Sequence, residues 1–180
     1  MLDAVRKRTR RVAAGTVSAA IMLAVLACNT SPGPHRGDLA PDFFLPALDG
    51  RVQKLSNYRG RVVLVNLWAT WCPPCIEEMP LLNEIVRRYE QRGLVVIGIA
   101  ADEERELVER FVQEHPLQFE VLLDPQGAVG TEYGITGYPE TFLIDREGRL
   151  VAKIVGPLPS LGDQPTPDLL KTIDEALGGG

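Results

Sequence analysis

The sequence predicts one α/β domain in which a mixed β-sheet lies between helices, and three observations lead to this prediction. The chain has 180 residues, which is the length of one domain with a short additional segment. Two almost continuous apolar runs, Val62–Trp68 and Leu94–Ala100, are typical of strands that are buried on both faces. Apolar residues at spacings of three and four predict a helix between these strands, and later runs around a tight turn predict an antiparallel hairpin.

The first half of the domain is predicted to contain a short hairpin and then a strand–helix–strand unit. Residues 43–45 and 52–55 flank an Asp-Gly turn signal, which indicates a hairpin at the edge of the domain. The helix after the first buried strand runs to Tyr89, and Gly93 ends it because glycine readily adopts the left-handed conformation at a helix end. The apolar face of this helix consists of Ile76, Met79, Leu82, Ile85, Val86 and Tyr89.

The region after the second buried strand is predicted to contain a helix, an extended segment and a second, short helix. We expect Asp102 to cap the first helix, which reaches about Glu114, because an aspartate accepts hydrogen bonds from the free N–H groups of a first turn. Residues 119–123 are predicted to be extended, and residues 126–133 to hold the short helix.

The last part of the chain is predicted to form a hairpin and a closing helix. Residues 141–145 and Leu150–Val155 surround an Arg-Glu-Gly turn, and residues 167–177 form the helix, with Thr166 as its cap. A parallel strand–helix–strand half joined to an antiparallel strand–strand–helix half is the thioredoxin arrangement. The predicted fold class is therefore an α/β thioredoxin fold, with a mixed central sheet flanked by helices and a short N-terminal hairpin extension.

Composition and charge exclude several classes of protein. Three cysteines are too few for a small domain held together by disulfides, and two histidines cannot form a three-histidine catalytic metal site. Residues 1–27 hold five of the 19 Lys and Arg residues and one of the 24 Asp and Glu residues, so the net charge of −5 divides into +4 there and −9 elsewhere. Because the acidic remainder has no basic stripe, we expect no nucleic-acid partner.

The N-terminal residues 1–27 have the pattern of a signal peptide or signal anchor. A basic stretch precedes residues 12–27, which are uncharged and apolar or small, and this run is shorter than the ~20 residues that a spanning helix needs. The four residues that end at Cys28 resemble a bacterial lipobox, which makes Cys28 a candidate for lipidation. An uncleaved anchor and simple cleavage are the alternatives. Residues 28–37 are predicted to be a linker and residues 38–180 a thioredoxin-like domain outside the cytoplasm.

The sequence Cys72-Pro73-Pro74-Cys75 is the candidate active site, at the point where the first buried strand turns into a helix. Two thiols separated by two residues in a first helical turn are close enough to form a disulfide. The helix N-terminus stabilises a thiolate at Cys72, and we expect the Cys75 N–H to point back at that sulfur. Pro73 and Pro74 occupy positions whose N–H groups would lack partners. Cys72 is therefore predicted to be the exposed nucleophile and Cys75 the buried resolving thiol.

A metal site is an alternative explanation for the two cysteines. A structural zinc site needs a second pair of ligands, and a copper carrier would need a histidine near the two thiols. Cys28 belongs to the targeting segment and His115 is a single candidate. We therefore expect no metal and no cofactor.

A substrate-binding surface is predicted at Tyr138, Pro139 and Trp71. In the thioredoxin arrangement a cis X–Pro bond commonly faces the dithiol, and Tyr138-Pro139 precedes a strand. The Tyr138 backbone would then offer a docking edge to an extended substrate, and Trp71 adjoins the first cysteine. The alternative is an ordinary trans proline in a turn.

Glu78 is a candidate for proton transfer. It lies one helical turn past Cys75, so its carboxylate can share that face of the helix. In this position it could accept or deliver the proton of the buried thiol. The alternative is that Glu77 and Glu78 are both solvated.

Two motifs carry a resemblance to a known family. Residues 65–80 are Val-Asn-Leu-Trp-Ala-Thr-Trp-Cys-Pro-Pro-Cys-Ile-Glu-Glu-Met-Pro, and residues 133–145 are Tyr-Gly-Ile-Thr-Gly-Tyr-Pro-Glu-Thr-Phe-Leu-Ile-Asp. Together they resemble the TlpA/ResA/DsbE family of membrane-tethered, extracytoplasmic reductases with a thioredoxin fold, several of which act in cytochrome c maturation. Thioredoxin has an aspartate six residues before its first cysteine, where this chain has Asn66. The resemblance therefore assigns the buried acid–base role to Glu78.

The sequence thus predicts an extracytoplasmic thiol-disulfide oxidoreductase, a protein-disulfide reductase of the cytochrome c maturation type. Pro73 and Pro74 supply neither charge nor N–H donors to a thiolate, which favours the disulfide and makes the reduced protein a good reductant. The expected partners are protein disulfides, including apocytochrome c or an assembly factor, and a membrane electron donor that re-reduces the dithiol. We expect a monomer, attached to the membrane through its N-terminus, in the periplasm. A peroxiredoxin-like thiol peroxidase and a non-enzymatic metal carrier or holdase are the alternatives.

Overall fold

The computed structural model describes residues 32–102 and 104–178, so the predicted signal segment, residues 1–27, and Cys28 lie outside the described residues. The strands are β1 (Phe44–Pro46), β2 (Val52–Lys54), β3 (Val62–Trp68), β4 (Leu94–Ala100), β5 (Glu120–Leu123), β6 (Glu140–Ile144), β7 (Leu150–Val155), β8 (Ser160–Leu161) and β9 (Gln164–Pro165). The α-helices are α1 (Pro73–Tyr89), α2 (Arg105–Glu114), α3 (Ala128–Glu132) and α4 (Pro167–Gly178).

Five strands form a mixed central sheet in the order β5-β4-β3-β6-β7. Strands β3, β4 and β5 are parallel to one another, whereas β6 is antiparallel to β3 and β7 is antiparallel to β6. The predicted mixed sheet is confirmed. The extended segment predicted at residues 119–123 is the edge strand β5, so the parallel half contains three strands.

Each face of the central sheet carries its own core. Every residue of β3 is buried, because this strand lies in the middle of the sheet with side chains packed on both sides. Leu64 and Trp68 pack with α1, α2 and α4, whereas Val63, Val65 and Leu67 pack with α3 and the N-terminal hairpin. The continuous apolar run seen in the sequence therefore reflects a strand with no solvent face.

The predicted N-terminal hairpin is confirmed as β1 and β2. The two strands pair antiparallel and form a sheet of their own. An isolated backbone bridge from Ala47 to Leu122 and a 2.8 Å hydrogen bond from Gln53 Nε2 to Glu120 Oε1 connect this hairpin to the edge strand β5. The hairpin thus extends the domain beside the edge of the central sheet.

The prediction that Asp102 caps helix α2 is wrong. The helix begins at Arg105, and Glu104 occupies the cap position without a side-chain hydrogen bond. The Asp102 carboxylate instead accepts hydrogen bonds from the Thr70 N–H, at 3.0 and 3.2 Å, and from the Thr70 hydroxyl. A tertiary partner in the connection between β3 and α1 thus holds the carboxylate away from its own helix. The cap of α4 is confirmed, because the Leu169 N–H donates to Thr166 Oγ1 at 3.4 Å.

The end of the predicted linker, residues 32–37, packs against the domain. The Gly37 N–H donates to the Leu150 carbonyl at 2.8 Å, and Arg149 Nη1 donates to the Gly37 carbonyl at 2.9 Å. Gly33 lies so close to the Tyr133 backbone that a Cβ at this position would stand 2.4 Å from the Tyr133 carbonyl oxygen. In the described part of the chain, no helix has the length and apolar character needed to span a membrane.

Candidate active site

The two cysteines form a disulfide at the start of α1. The Cys72–Cys75 sulfurs are 2.12 Å apart and the Cα atoms 5.3 Å apart. Cys72 is the N-cap residue, and its sulfur accepts a hydrogen bond from the Cys75 N–H at 3.3 Å. Pro73 and Pro74 follow at the first two helical positions, where a missing N–H costs the helix nothing. The local arrangement predicted from the sequence is confirmed.

Both cysteines are buried: Cys72 exposes 4% of its surface and Cys75 none. The prediction that Cys75 is buried is confirmed, whereas the prediction that Cys72 is exposed is wrong, because the start of α1 packs into the core around the disulfide. Cys72 remains the less buried of the two. The N-terminus of α1 also lends partial positive charge to this residue, which stabilises a thiolate there after reduction.

Trp71, which precedes Cys72, and Tyr138 form a surface that we call the docking surface, whereas Pro139, the third predicted substrate-binding residue, is buried. The Tyr138-Pro139 peptide bond is cis, as the sequence predicted. Because Leu67 of β3 pairs with Glu140 of β6, the proline that precedes Glu140 lies beside the end of β3.

An aromatic contact joins the two parts of the docking surface. The Trp71 and Tyr138 rings meet edge to face, with centroids 5.8 Å apart, although 64% of the Trp71 surface is exposed. Partial burial raises the pKa of Tyr138, and the nearby Asp124 and Asp102 carboxylates add to this effect. The tyrosine is therefore a neutral phenol, and the exposed aromatic face is available to a partner.

Glu78 is buried beneath the start of α1, which excludes the solvated alternative. It exposes 4% of its surface. One carboxylate oxygen accepts a hydrogen bond from Asn66 Nδ2, and the other accepts one from the Leu158 N–H, both at 2.8 Å. Burial raises the pKa of Glu78, and the two hydrogen bonds oppose this rise in part. Glu77, the preceding residue, is exposed.

A small cavity lies beside Glu78. Its volume is about 150 Å³, and its lining includes Glu78, Glu77, Pro74, Leu158 and Asp163. One wall comes from the loop before β8 and from the β8–β9 turn, elements that the sequence did not predict. The buried carboxylate therefore adjoins a cavity on the side of this loop.

Asn66 connects Glu78 to the central sheet. Its Nδ2 donates to Glu78 and also to Thr141 Oγ1 at 2.9 Å. Its Oδ1 is buried and receives no hydrogen bond from the described residues. Asn66 is an exception to the thioredoxin pattern that is visible in the sequence, whereas the contributions of Thr141 and Leu158 were not predicted. Thr141 could have been found, because a polar residue in a predicted buried strand is a signal in the sequence. The Leu158 contact comes from a backbone N–H, which every residue except proline has, so the sequence holds no signal for it.

His115, the histidine weighed as a metal ligand, lies at the end of α2. Its ring stacks on Phe111 with centroids 4.3 Å apart, and its Nδ1 lies 3.2 Å from the Phe111 carbonyl oxygen. Within residues 32–102 and 104–178, no three His, Cys, Asp or Glu side chains converge closely enough to hold a metal ion.

The chain is similar in sequence to known proteins of one kind. Residues 35–170 match the family described as Redoxin. The thiol-disulfide oxidoreductase ResA of Bacillus thuringiensis subsp. konkukian is 38% identical over 120 residues, which are 67% of this chain and 69% of that protein. The thioredoxin-like protein YneN of Bacillus subtilis is 34% identical over 119 residues, which are 64% of this chain and 69% of that protein.

A solved structure shows the same architecture. The crystal structure of a thiol:disulfide interchange protein DsbE from Chlorobium tepidum has a TM-score of 0.75 and 36% identity with this chain. The likeness covers 81% of this chain and 100% of the other. The predicted fold is thereby confirmed.

Proposed function

The chain belongs to the TlpA/ResA/DsbE family of thiol-disulfide oxidoreductases, and from this premise we propose that it reduces protein disulfides outside the cytoplasm, in cytochrome c maturation. The observation that carries the proposal is the Cys72–Cys75 disulfide at the N-terminus of α1, with its second sulfur fully buried. In the proposed reaction the substrate meets Cys72, the less buried cysteine, while the complete burial of Cys75 protects this thiol from solvent oxidants until it resolves the mixed disulfide.

The proposed reaction begins from the reduced dithiol. The Cys72 thiolate attacks one sulfur of the substrate disulfide, so that a Cys72–substrate S–S bond forms, the substrate bond breaks and one substrate thiolate leaves. Cys75 then loses its proton and attacks the Cys72 sulfur. The Cys72–Cys75 bond forms, the mixed disulfide breaks and the second substrate thiolate leaves. Two electrons have passed to the substrate, and the enzyme ends as the disulfide described above.

In this scheme Glu78 takes the proton of Cys75. The carboxylate lies on the same helix, three residues further on, and its raised pKa makes it a stronger base than an exposed glutamate. The cavity beside it would let the proton leave to solvent. Protein disulfides would approach along the docking surface, with the Tyr138 backbone as an edge for an extended chain.

The residues between the cysteines support the proposed direction of electron flow. Pro73 and Pro74 offer a thiolate neither charge nor N–H groups, so they do little to stabilise the reduced form. We therefore expect the protein to act as a reductant. A membrane electron donor would restore the dithiol, with residues 1–27 as signal or anchor and Cys28 as a lipidation site, and the protein would act as a monomer.

The redox potential of the full-length chain in detergent tests this direction. We expect a value near the ~−270 mV of thioredoxin rather than the ~−120 mV of a strong oxidant of this fold. A potential close to the second value would contradict the reductase proposal. Consumption of hydrogen peroxide without a disulfide substrate would favour the peroxidase alternative.

The identity of the substrate is tested by trapping. In a Cys75→Ala variant the mixed disulfide at Cys72 cannot be resolved, so a covalent complex should accumulate and be identified by mass spectrometry. A Cys72→Ser variant is the matched control and should trap nothing. An oxidised peptide with the Cys-X-X-Cys-His sequence of c-type haem attachment should react faster than the same residues in scrambled order. Equal rates would remove the link to cytochrome c.

A further inference from the structure

A buried ion pair lies beneath the docking surface, outside the residues that the proposed reaction uses. Glu140 exposes 1% of its side chain and Lys153 26%, and Lys153 Nζ lies 2.9 Å from Glu140 Oε2. No aligned hydrogen bond from the described residues reaches this oxygen, so the Lys153 contact acts by charge. Glu140 directly follows the cis proline.

This ion pair is bonded at two points to residues 134–139, which carry Tyr138 of the docking surface and which we call the docking loop. The other Glu140 oxygen accepts hydrogen bonds from the Thr136 N–H at 2.7 Å and from Thr136 Oγ1 at 2.9 Å. Lys153 Nζ donates to the Gly134 carbonyl at 2.8 Å. The loop is therefore bonded to both members of one pair, with Tyr138 between these contacts and β6.

Strand register explains how the two charges meet. In β6 and β7, Glu140 pairs with Val155 and Phe142 pairs with Lys153, so Lys153 is the diagonal neighbour of Glu140 on the same face. Its Nζ also lies 5.3 Å from the centre of the Phe142 ring. The ion pair is thus built on the rigid sheet, while its hydrogen bonds reach the loop.

Stability alone does not explain this pair. Removing two charges from water costs free energy, and their mutual attraction offsets this cost only in part. Apolar residues of similar size would therefore stabilise the folded protein at least as well. A buried pair that also satisfies a loop's backbone does something that apolar residues cannot do, because it selects one loop conformation.

We propose that Glu140 and Lys153 are positioning residues that fix the docking loop for an incoming protein disulfide. They keep Tyr138 against Trp71 and hold the backbone before Pro139 as a preformed edge. The inference rests on the proposed function, since it takes the docking of a protein disulfide at this surface as given. It adds a requirement specific to large substrates, because a small disulfide reaches Cys72 without the loop.

The test uses the full-length chain with Lys153→Met, measured against an oxidised protein and against a small aromatic disulfide. We expect KM for the protein substrate to rise about tenfold with kcat little changed, because ground-state docking is lost. The rate with the small disulfide and the redox potential of Cys72–Cys75 should stay at their wild-type values. Lys153→Arg, which keeps the charge, should restore most of the affinity. Lys171→Met is the matched control, because Lys171 belongs to an exposed pair with Glu175.

A double variant separates positioning from loss of stability. Lys153→Met leaves the Glu140 charge buried without its cation, whereas Lys153→Met with Glu140→Gln removes that charge. If the pair positions the loop, KM stays high in the double variant, because the bond to Gly134 is still missing. A return of KM to the wild-type value would mean that the pair serves only stability and would overturn the inference.

Hydrogen exchange gives a readout that does not depend on activity. The amide of Thr136, which donates to Glu140, should exchange at least about tenfold faster in Lys153→Met and in the double variant, because the loop opens more often. Wild-type exchange together with wild-type KM in Lys153→Met would contradict the inference. A wild-type protein that reduces the small disulfide but no protein disulfide would instead contradict the proposed function.

Discussion

Two buried glutamates, Glu78 and Glu140, lie near the end of β3, and they differ in the groups that contact their carboxylates. Asn66 of β3 donates to Glu78, and its neighbour Leu67 pairs with Glu140. Glu78 and Glu140 expose 4% and 1% of their surfaces. Among the described residues, uncharged groups bond Glu78, whereas the Lys153 ammonium lies against Glu140.

The difference in surroundings suits the two glutamates to different roles. A buried carboxylate without a cation has its charged form disfavoured, and this is the cause of the raised pKa of Glu78. Such a group can exchange a proton during a reaction. A carboxylate whose charge a cation compensates is suited instead to fixing structure. We therefore expect changes at Glu78 to alter the chemistry and changes at Glu140 or Lys153 to alter stability and docking.

The largest expected effect is that of Glu78→Gln on turnover. Because general-base catalysis contributes about 10²–10⁴-fold, resolution of the mixed disulfide should slow by at least about 10²-fold. In the wild type this step should also slow as pH falls through the raised pKa of Glu78, since the protonated carboxyl cannot accept a proton. The variant should lose this pH dependence. Stopped-flow measurement of mixed-disulfide decay follows both effects.

Glu77→Gln is the matched control, since Glu77 is the exposed neighbour of Glu78. It should retain the wild-type rate and the wild-type pH profile. An equal loss of the resolution rate in Glu78→Gln and Glu77→Gln would mean that negative charge near the site affects the rate in general. The buried carboxyl group would then have no specific role in proton transfer.

A loss of stability is the next expected effect, from Lys153→Met. Breaking a buried ion pair on one side typically costs about 3–5 kcal/mol, because the remaining charge stays buried. Discounting for the 26% exposure of the Lys153 side chain places the expected loss at the lower end of this range. Denaturant unfolding measures it, with Lys171→Met as the exposed control, where a change below about 1 kcal/mol is expected. An equal loss of stability in Lys153→Met and Lys171→Met would show that the Lys153–Glu140 pair stabilises the protein no more than an exposed pair does.

The smallest expected effect is on the pH dependence of stability. Because burial raises the pKa of Glu78 above 4.5, the folded state binds this proton more tightly than the unfolded chain does. The stabilisation from this proton is complete below pH 4.5 and is lost as pH rises through the raised pKa. The free energy of unfolding of the wild type should therefore fall relative to that of Glu78→Gln over this range. Parallel curves for the two proteins would show that Glu78 does not titrate abnormally.

Much of the fold was accessible from the sequence because its signals are local. The apolar run of Val62–Trp68, the helical spacing that ends at Tyr89 and the hairpin around the Arg-Glu-Gly turn each follow from neighbouring residues, and each prediction is confirmed. The place of β5 at the sheet edge and the β8–β9 pair were not predicted, because strand pairing over long distances and two-residue strands leave no periodic signal.

In the candidate site, too, the local contacts were predicted from the sequence and the tertiary contacts were not. The contact of Cys72 with the Cys75 N–H is a property of one helix turn, and the sequence predicted it. Asp102 shows the limit of such reasoning, since its capping signal was clear but Thr70, distant in sequence, holds its carboxylate. Glu140 was visible in the motif, yet its partner Lys153 was not singled out.

The sequence by itself determined the order of the elements, the dithiol at a helix start and the candidates Glu78 and Pro139. Each of these depends on residues within a few positions of one another, where period, turn chemistry and helix geometry act directly. The tertiary structure alone decided which buried carboxylate meets a cation and which meets only amides. That choice depends on side chains brought together by strand register and helix packing, and at Glu78, which has no cation beside it, burial then raises the pKa.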